Sequence, residues 1–200
     1  MKSVSQAFAL VAMMLLAPLA MAQSSGLSPV EATEQSVNQL LGRVQELRPF
    51  FNSDRERYYV GIEEELNKFV DFREVAVGVM ARYSQQATED QIVAFGEKLR
   101  STLTRFYGSA LVEYGGQKLT FLPAGDQAES SSTATVRMQL ENNGSRIELQ
   151  YALFQNAEGE WKLRNIFVGG VNLRRQYNTQ FAALMNRHNN DIDQVIQAWQ

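Results

Sequence analysis

The sequence predicts an α+β domain. N-terminal helices pack on one face of a curved antiparallel sheet of about four strands, and C-terminal helices close the fold. The first observation behind this prediction is that apolar residues recur every three or four positions in the first half of the chain, as on a helix. The second is that they alternate with polar residues further on, as on a half-buried strand. Helices that precede a meander of strands are typical of the α+β class.

The first 22 residues have the pattern of a secretory signal peptide that is cleaved after Ala22. Lys2 gives a positive start, an apolar run follows, and Ala20-Met21-Ala22 has the small-x-small form of a cleavage site. The apolar run is shorter than the roughly 20 residues that a membrane-spanning helix needs, so we prefer a signal peptide to an anchor. Residues 23–200 are expected to form one exported domain, and the lack of cysteine suits the bacterial periplasm.

Four helices are predicted ahead of the sheet, each from its own start signal. The first begins at Ser28-Pro29, where serine caps the helix and proline takes the first helical position, and it ends before Pro49. Three further helices begin at the capping residues Asp54, Asp71 and Thr88. The last of the four is the longest and carries a wide apolar stripe.

Strands are predicted where the apolar period becomes two, in segments that contain Leu119, Val136, Leu149 and Leu163. Residues 142–144 and 156–159 are predicted hairpin connections in which glycine supplies a positive φ. The serine-rich stretch from Gln127 to Thr133 is predicted to be a mobile loop, and Gly169-Gly170 breaks the last strand. Two helices close the chain, one from about Leu173 to Arg187 and a short one from Asp191.

Composition excludes several kinds of chemistry. The absence of cysteine removes thiolate ligands and nucleophiles, and a single histidine, His188, rules out a multi-histidine metal site. The chain has 19 basic and 22 acidic residues, which argues against a nucleic-acid surface. We predict no catalytic residue, metal or cofactor, and interpret His188 as a complement to a helix dipole. Arg174-Arg175 is compatible either with surface charge or with a phosphate contact.

Apolar side chains are concentrated on two faces that the predicted fold brings together. Such faces either pack into a filled core or enclose an apolar cavity, as in many ligand-binding folds. Periodicity does not separate these interpretations, so both stay open from the pattern alone. The residues on the two faces are Ile62, Val75, Val79, Phe95, Leu99, Leu103, Phe106, Met138, Leu140, Ile147, Leu149, Tyr151, Leu153, Leu163 and Phe167.

Two stretches carry a resemblance to a known family. In residues 69–114 a D-F helix start precedes a T-x-x-Q helix that ends in a tyrosine, matched by Asp71-Phe72, Thr88 with Gln91, and Tyr107. In residues 161–181 a W-K strand leads into G-V-x-L and Y-x-x-Q-F, matched by Trp161-Lys162, Gly170-Val171 with Leu173, and Tyr177 with Gln180-Phe181. Together they resemble the MlaC-type periplasmic phospholipid carriers, also called the toluene-tolerance family.

The resemblance implies a soluble, non-enzymatic carrier that acts in the periplasm, is expected to be a monomer, needs no cofactor and holds a phospholipid as cargo. Its implied partners are an outer-membrane lipoprotein complex and an inner-membrane ABC transporter with an MCE-domain subunit. The carrier is expected to move phospholipid between these two complexes and so to maintain outer-membrane lipid asymmetry. Each exposed CH₂ costs about 0.8 kcal/mol, so the tails rather than the headgroup are expected to dominate binding. The expected lipid-binding cavity consists of the residues on the two faces, Ile62 excepted.

Two other interpretations stay open beside the carrier. The first is an exported hydrolase or isomerase on a cone-shaped α+β fold, with His188 or a buried carboxylate as the base. It requires polar groups that converge inside the cavity, and the predicted inward strand positions offer only Asn165 and the Tyr151 hydroxyl. The second is a structural interaction module with a filled core.

The segment from Asp71 to Thr88 is predicted to be the gate through which a lipid enters and leaves. Its helix is short and contains Gly78, and the polar Ser84-Gln85-Gln86 follows it. Short helices depend on tertiary packing, so they open locally at low cost.

Overall fold

Seven α-helices and a five-stranded sheet make up the part of the chain that the computed structural model describes, residues 26–123, 132–142 and 144–200. The predicted signal peptide and most of the predicted loop at 127–133 lie outside these residues. The helices are α1 (Pro29–Leu47), α2 (Phe50–Ser53), α3 (Arg55–Phe69), α4 (Phe72–Met80), α5 (Glu89–Leu111), α6 (Leu173–Arg187) and α7 (Ile192–Ala198). The strands are β1 (Lys118–Phe121), β2 (Thr133–Asn142), β3 (Ser145–Gln155), β4 (Trp161–Val168) and β5 (Val171–Asn172).

The predicted helix starts are confirmed because their signals are local. Ser28 accepts a hydrogen bond from the Glu31 main-chain N–H at 3.2 Å, and the Glu31 carboxylate accepts one from the Ser28 N–H at 2.9 Å. This reciprocal capping box satisfies two N–H groups that have no partner within the helix. Thr88 and Gln91 form the same box at the start of α5. Two short helical elements were not predicted: α2, and a 3₁₀ turn at Ala81–Gln85.

The sheet is an antiparallel meander in the order β1-β2-β3-β4-β5. Residue Thr133, predicted to end a loop, already belongs to β2, where it pairs with Phe154. A short fifth strand follows the break at Gly169-Gly170, whose φ angles of 55° and 83° form the β4–β5 turn. Glycine adopts such angles with the least strain, so this pair suits the tight turn that ends β4.

A β-bulge in β4 changes which side chains face inward. Leu153 pairs with Leu163 but Ala152 pairs with Asn165, so Arg164 has no partner residue on β3. Beyond the bulge, Ile166 lies opposite Tyr151 and Phe167 lies opposite Gln150. The prediction that Phe167 shares the inner face is therefore wrong. The prediction assumes that inward and outward side chains alternate without interruption along β4. The bulge adds one residue, and a shift of one position moves every later side chain to the other face.

The buried side chains form three clusters. One lies among α4, α5, α6 and α7 and includes Phe95, Phe181 and Trp199. The second joins α1 to α3, and the third covers the inner face of the sheet. A helical layer on one face of a meander confirms the predicted fold class. No described helix is both long and apolar enough to cross a bilayer.

Main-chain contacts attach the helices to the sheet and to one another. At the start of α4, the Asp71 N–H donates to the Leu163 carbonyl at 3.1 Å, and Val70 forms a parallel bridge with Leu163. Near the end of the same helix, the Asn178 amide of α6 donates to the Val79 carbonyl at 2.8 Å. Helix α4 is therefore hydrogen-bonded to β4 at one end and to α6 at the other.

Candidate functional site

An apolar cavity of about 230 Å³ lies where the three buried clusters meet, between β3–β4 and the helices. Ile62, Val79 and Leu163 each belong to a different cluster, and all three line it. The wall consists of Leu40, Ile62, Leu66, Val70, Phe72, Val75, Val79, Leu103, Thr104, Tyr107, Gly108, Leu111, Tyr151, Leu163, Arg164, Asn165, Ile166, Leu173, Arg174 and Tyr177. Most of these side chains are aliphatic or aromatic, so the cavity suits an apolar ligand.

Some of the residues predicted for a lipid-binding cavity are brought together in this wall. They come from α4, α5, β3 and β4, and the structure places them around one space. That they contact a lipid stays a prediction. The residues are Val75, Val79, Leu103, Tyr151 and Leu163.

Other predicted residues lie in solid core instead. Phe95 and Leu99 are fully buried among α4, α5, α6 and α7. Met138 and Leu153 are fully buried in the cluster on the inner face of the sheet, and Leu149 packs against that cluster. These residues follow the predicted periodicity, and neighbouring side chains fill the space around them.

The remaining predicted residues lie away from the cavity, so these placements correct the prediction. Phe106 is 69% exposed, because the inner face of α5 passes through Leu103, Tyr107 and Leu111 at intervals of four. Ile147 is 38% exposed, and Leu140, which pairs with it, is half-buried, since both lie near the β2–β3 hairpin beyond the helices. Phe167 is on the outer face, as described above.

Sequence reasoning missed much of the wall. Leu40, Leu66, Leu173 and Tyr177 come from helices that were predicted but were not assigned to the cavity. For Tyr107 and Leu111 the signal was present, because both follow Leu103 at intervals of four residues.

Two tyrosines join α5 to α6 at the edge of the cavity. The hydroxyl oxygens of Tyr107 and Tyr177 are 2.9 Å apart, and Tyr107 is 38% exposed while Tyr177 is half-buried. Burial, followed by the hydrogen bond to Tyr107, raises the pKa of Tyr177. Burial also raises the pKa of Tyr151 inside the cavity. Both Tyr151 and Tyr177 are therefore uncharged near neutral pH, and the wall keeps its apolar character there.

Gly78 marks a close approach between α4 and α6. A Cβ atom built on Gly78 would lie 2.5 Å from Cδ of Arg174. The absence of a side chain thus lets the apolar stem of Arg174 lie across α4 beside the cavity.

The groups named for an enzymatic alternative lie elsewhere. His188 follows α6, where its Nδ1 lies 3.4 Å from Oε1 of Gln194, and neither residue lines the cavity. Asp191 accepts hydrogen bonds from the main chain and side chain of Gln194, which lower the pKa of Asp191 and cap α7. Among the described residues, no three carboxylate or imidazole groups come close enough together to hold a metal ion.

A curved sheet covered by helices with an apolar pocket between them places the protein among the α+β domains that enclose a hydrophobic cavity. Comparison with known proteins identifies the family. The MlaC protein family matches residues 34–200, and the chain belongs to this family. It is 33% identical over 189 residues to the toluene tolerance protein Ttg2D of Pseudomonas putida, a match that covers 94% of this chain and 86% of that protein.

The fold is also found in a solved structure. A phospholipid-binding protein from Ralstonia solanacearum, determined in complex with a phospholipid, is similar with a TM-score of 0.75 at 22% sequence identity. The match covers 86% of this chain and 95% of that one. At this level of identity the likeness establishes a shared fold.

Proposed function

We propose that this protein is a lipid carrier that holds the acyl chains of a phospholipid in its apolar cavity and catalyses no reaction. The observation that carries the proposal is the cavity itself, an interior space of about 230 Å³ with a predominantly apolar wall. Transfer of each CH₂ from water into such a space contributes about 0.8 kcal/mol, so a long chain gains several kcal/mol without any polar contact. Membership of the MlaC family and the phospholipid held by the Ralstonia solanacearum protein support the same function.

The size of the cavity bears on how the cargo is held. Small-molecule sites usually measure about 300–1,000 Å³, which is larger than the space here. Loading a two-chain lipid therefore requires the walls to separate. The cavity lies at the junction of three clusters, so separation along their boundaries leaves each cluster packed.

The biological setting is part of the proposal. Residues 1–22 direct export to the periplasm, and residues 23–200 work there as a monomer. The carrier moves phospholipid between an outer-membrane lipoprotein complex and an inner-membrane ABC transporter with an MCE-domain subunit, and so maintains the lipid asymmetry of the outer membrane. The segment from Asp71 to Thr88 acts as the gate. Family membership supports this setting, since these partners are those expected of an MlaC-type carrier.

Lipid analysis of the purified protein tests the proposal. The protein isolated from the periplasm is extracted with organic solvent, and the extract is examined by mass spectrometry. We expect phospholipid in an amount that scales with the protein. The same protein, stripped of lipid, should take up phospholipid again from vesicles. Protein that is folded and lipid-free, and that takes up no lipid from vesicles, would contradict the proposal.

A further inference from the structure

A second, polar cavity adjoins the apolar one. It measures about 280 Å³ and lies by the outer face of the sheet, where Thr135 and Gln150 contribute to its wall. Three residues, Arg164, Asn165 and Arg174, line both cavities. These three residues therefore stand at the boundary between an apolar space and a polar one, as a ligand with apolar tails and a charged head would require.

Asn165 holds the two arginines at this boundary. Its side chain is only 7% exposed, and its Oδ1 accepts a hydrogen bond from the main-chain N–H of Arg174 at 3.1 Å. Its Nδ2 donates to Oδ1 of Asn172 at 3.1 Å, which fixes the start of α6 against β4. Because Arg164 precedes Asn165 in the chain, the two arginines flank one buried amide.

The bulge in β4 gives Arg164 its position. Arg164 is the residue without a partner on β3, and such residues commonly redirect a side chain next to a functional site. Its guanidinium lies 5.8 Å from the ring centroid of Phe154. On the other side of the boundary, the stem of Arg174 lies across Gly78.

Within the described ranges, neither guanidinium forms a hydrogen bond or an ion pair. The nearby Arg137 on β2, in contrast, pairs with Glu148 at 2.9 Å. The two guanidinium groups beside this cavity are therefore available to an anionic ligand. Guanidinium groups bind phosphate oxygens in a bidentate manner, which matches the one anionic group that all glycerophospholipids share.

We propose that Arg164 and Arg174 bind the phosphate of the lipid headgroup in the polar cavity while the acyl chains occupy the apolar one. This inference rests on the proposed function and specifies the ligand of the same site. Recognition of the phosphate alone separates phospholipids from neutral diacylglycerol. It does not separate one headgroup alcohol from another, so it agrees with weak selectivity among phospholipids.

Competition between two lipids with identical chains tests the proposal. Lipid-stripped protein is incubated with equimolar dioleoylphosphatidylglycerol and dioleoylglycerol, and the bound lipids are measured by mass spectrometry. We expect the wild type to prefer the phospholipid by about tenfold or more, as is typical for hydrogen bonds to a charged group. The variant R164Q/R174Q should bind both lipids about equally.

The variant R175Q is the matched control, because Arg175 is the exposed neighbour of Arg174 and lines neither cavity. It should keep the wild-type preference. Cooperative thermal unfolding checks that each variant is folded. If the double variant does not fold, R164Q and R174Q are tested singly, and each should lose part of the preference.

Four outcomes would overturn the inference. Equal loading of both lipids by the wild type, or a full preference in folded R164Q/R174Q, would exclude a phosphate contact. If excess inorganic phosphate bound the wild type while the preference for phospholipid was absent, the site would serve free phosphate instead. Failure of the wild type to bind either lipid would refute the proposed function itself, and with it this inference.

Discussion

Leu103 offers a way to fill part of the cavity with a larger apolar side chain. This residue lies in the wall on α5 and is half-buried. Replacing it with tryptophan adds about six non-hydrogen atoms, which as bonded ring atoms occupy about 10 Å³ each at the packing density of a protein interior, or roughly 60 Å³ together. Since the cavity measures about 230 Å³, the indole ring fills a substantial part of it.

The loss of binding follows from the methylene groups that the ring displaces. A ring of this size displaces about two or three CH₂ groups of a bound chain, and at ~0.8 kcal/mol each this weakens binding by about 2 kcal/mol. That corresponds to roughly a ten- to hundredfold loss in affinity. Because the ring enters existing space, we expect the free energy of unfolding of L103W to change by less than about 1 kcal/mol.

The assay measures phospholipid taken up from vesicles by lipid-stripped protein, with thermal unfolding recorded in parallel. The matched control is V93W on the same helix, since Val93 is 45% exposed and does not line the cavity. The control should load lipid as the wild type does. A folded L103W protein with wild-type affinity would show that the acyl chains bind elsewhere. If L103W is too large to fold, L103F should give a smaller loss in the same direction.

Three further predictions follow from contacts of named residues. The Y107F/Y177F variant lacks the hydrogen bond between the two tyrosine hydroxyls, so it should transfer lipid between vesicles about two- to tenfold faster than the wild type. An unchanged transfer rate would mean that α5 and α6 do not separate. L153D should abolish cooperative unfolding, because Leu153 is fully buried in the sheet core and a charge there has no partner; a folded variant would refute this placement. Amide hydrogens of residues 71–88 should exchange faster in lipid-free than in lipid-loaded protein, while β2 to β4 change less; equal exchange would place the gate elsewhere.

The features predicted correctly from sequence are those set by nearby residues. A capping box needs only four consecutive positions, so Ser28 and Thr88 marked their helices without knowledge of the fold. The alternation in β2 and β3 likewise identified an inner face, which runs through Met138, Leu149 and Tyr151 as the pairing shows. The family was recognised for the same reason, since its motifs are short and local.

The features that were missed depend on contacts between distant segments. The sequence around Arg164 contains no signal for the bulge, which arises from the pairing of β4 with β3. Because the bulge was not predicted, Phe167 was assigned to the wrong face of the sheet. The outward position of Phe106 depends on how α5 rotates against its neighbours. Whether an apolar face meets an open space or another side chain depends on how the three clusters fit together. Leu153 and Leu163 belong to the same cluster, for example, but only Leu163 also lines the cavity.

The unfilled space at the junction of the three clusters also makes the stability of this fold sensitive to pressure. Unfolding eliminates internal void volume, so the unfolded chain together with its water occupies less space than the folded protein. Hydrostatic pressure therefore destabilises the empty protein in proportion to the unfilled part of its interior. A lipid chain that fills the space removes most of this volume difference. Bound lipid therefore stabilises the folded state where pressure destabilises it. The molar volume change of unfolding then measures how much of the cavity is occupied by lipid.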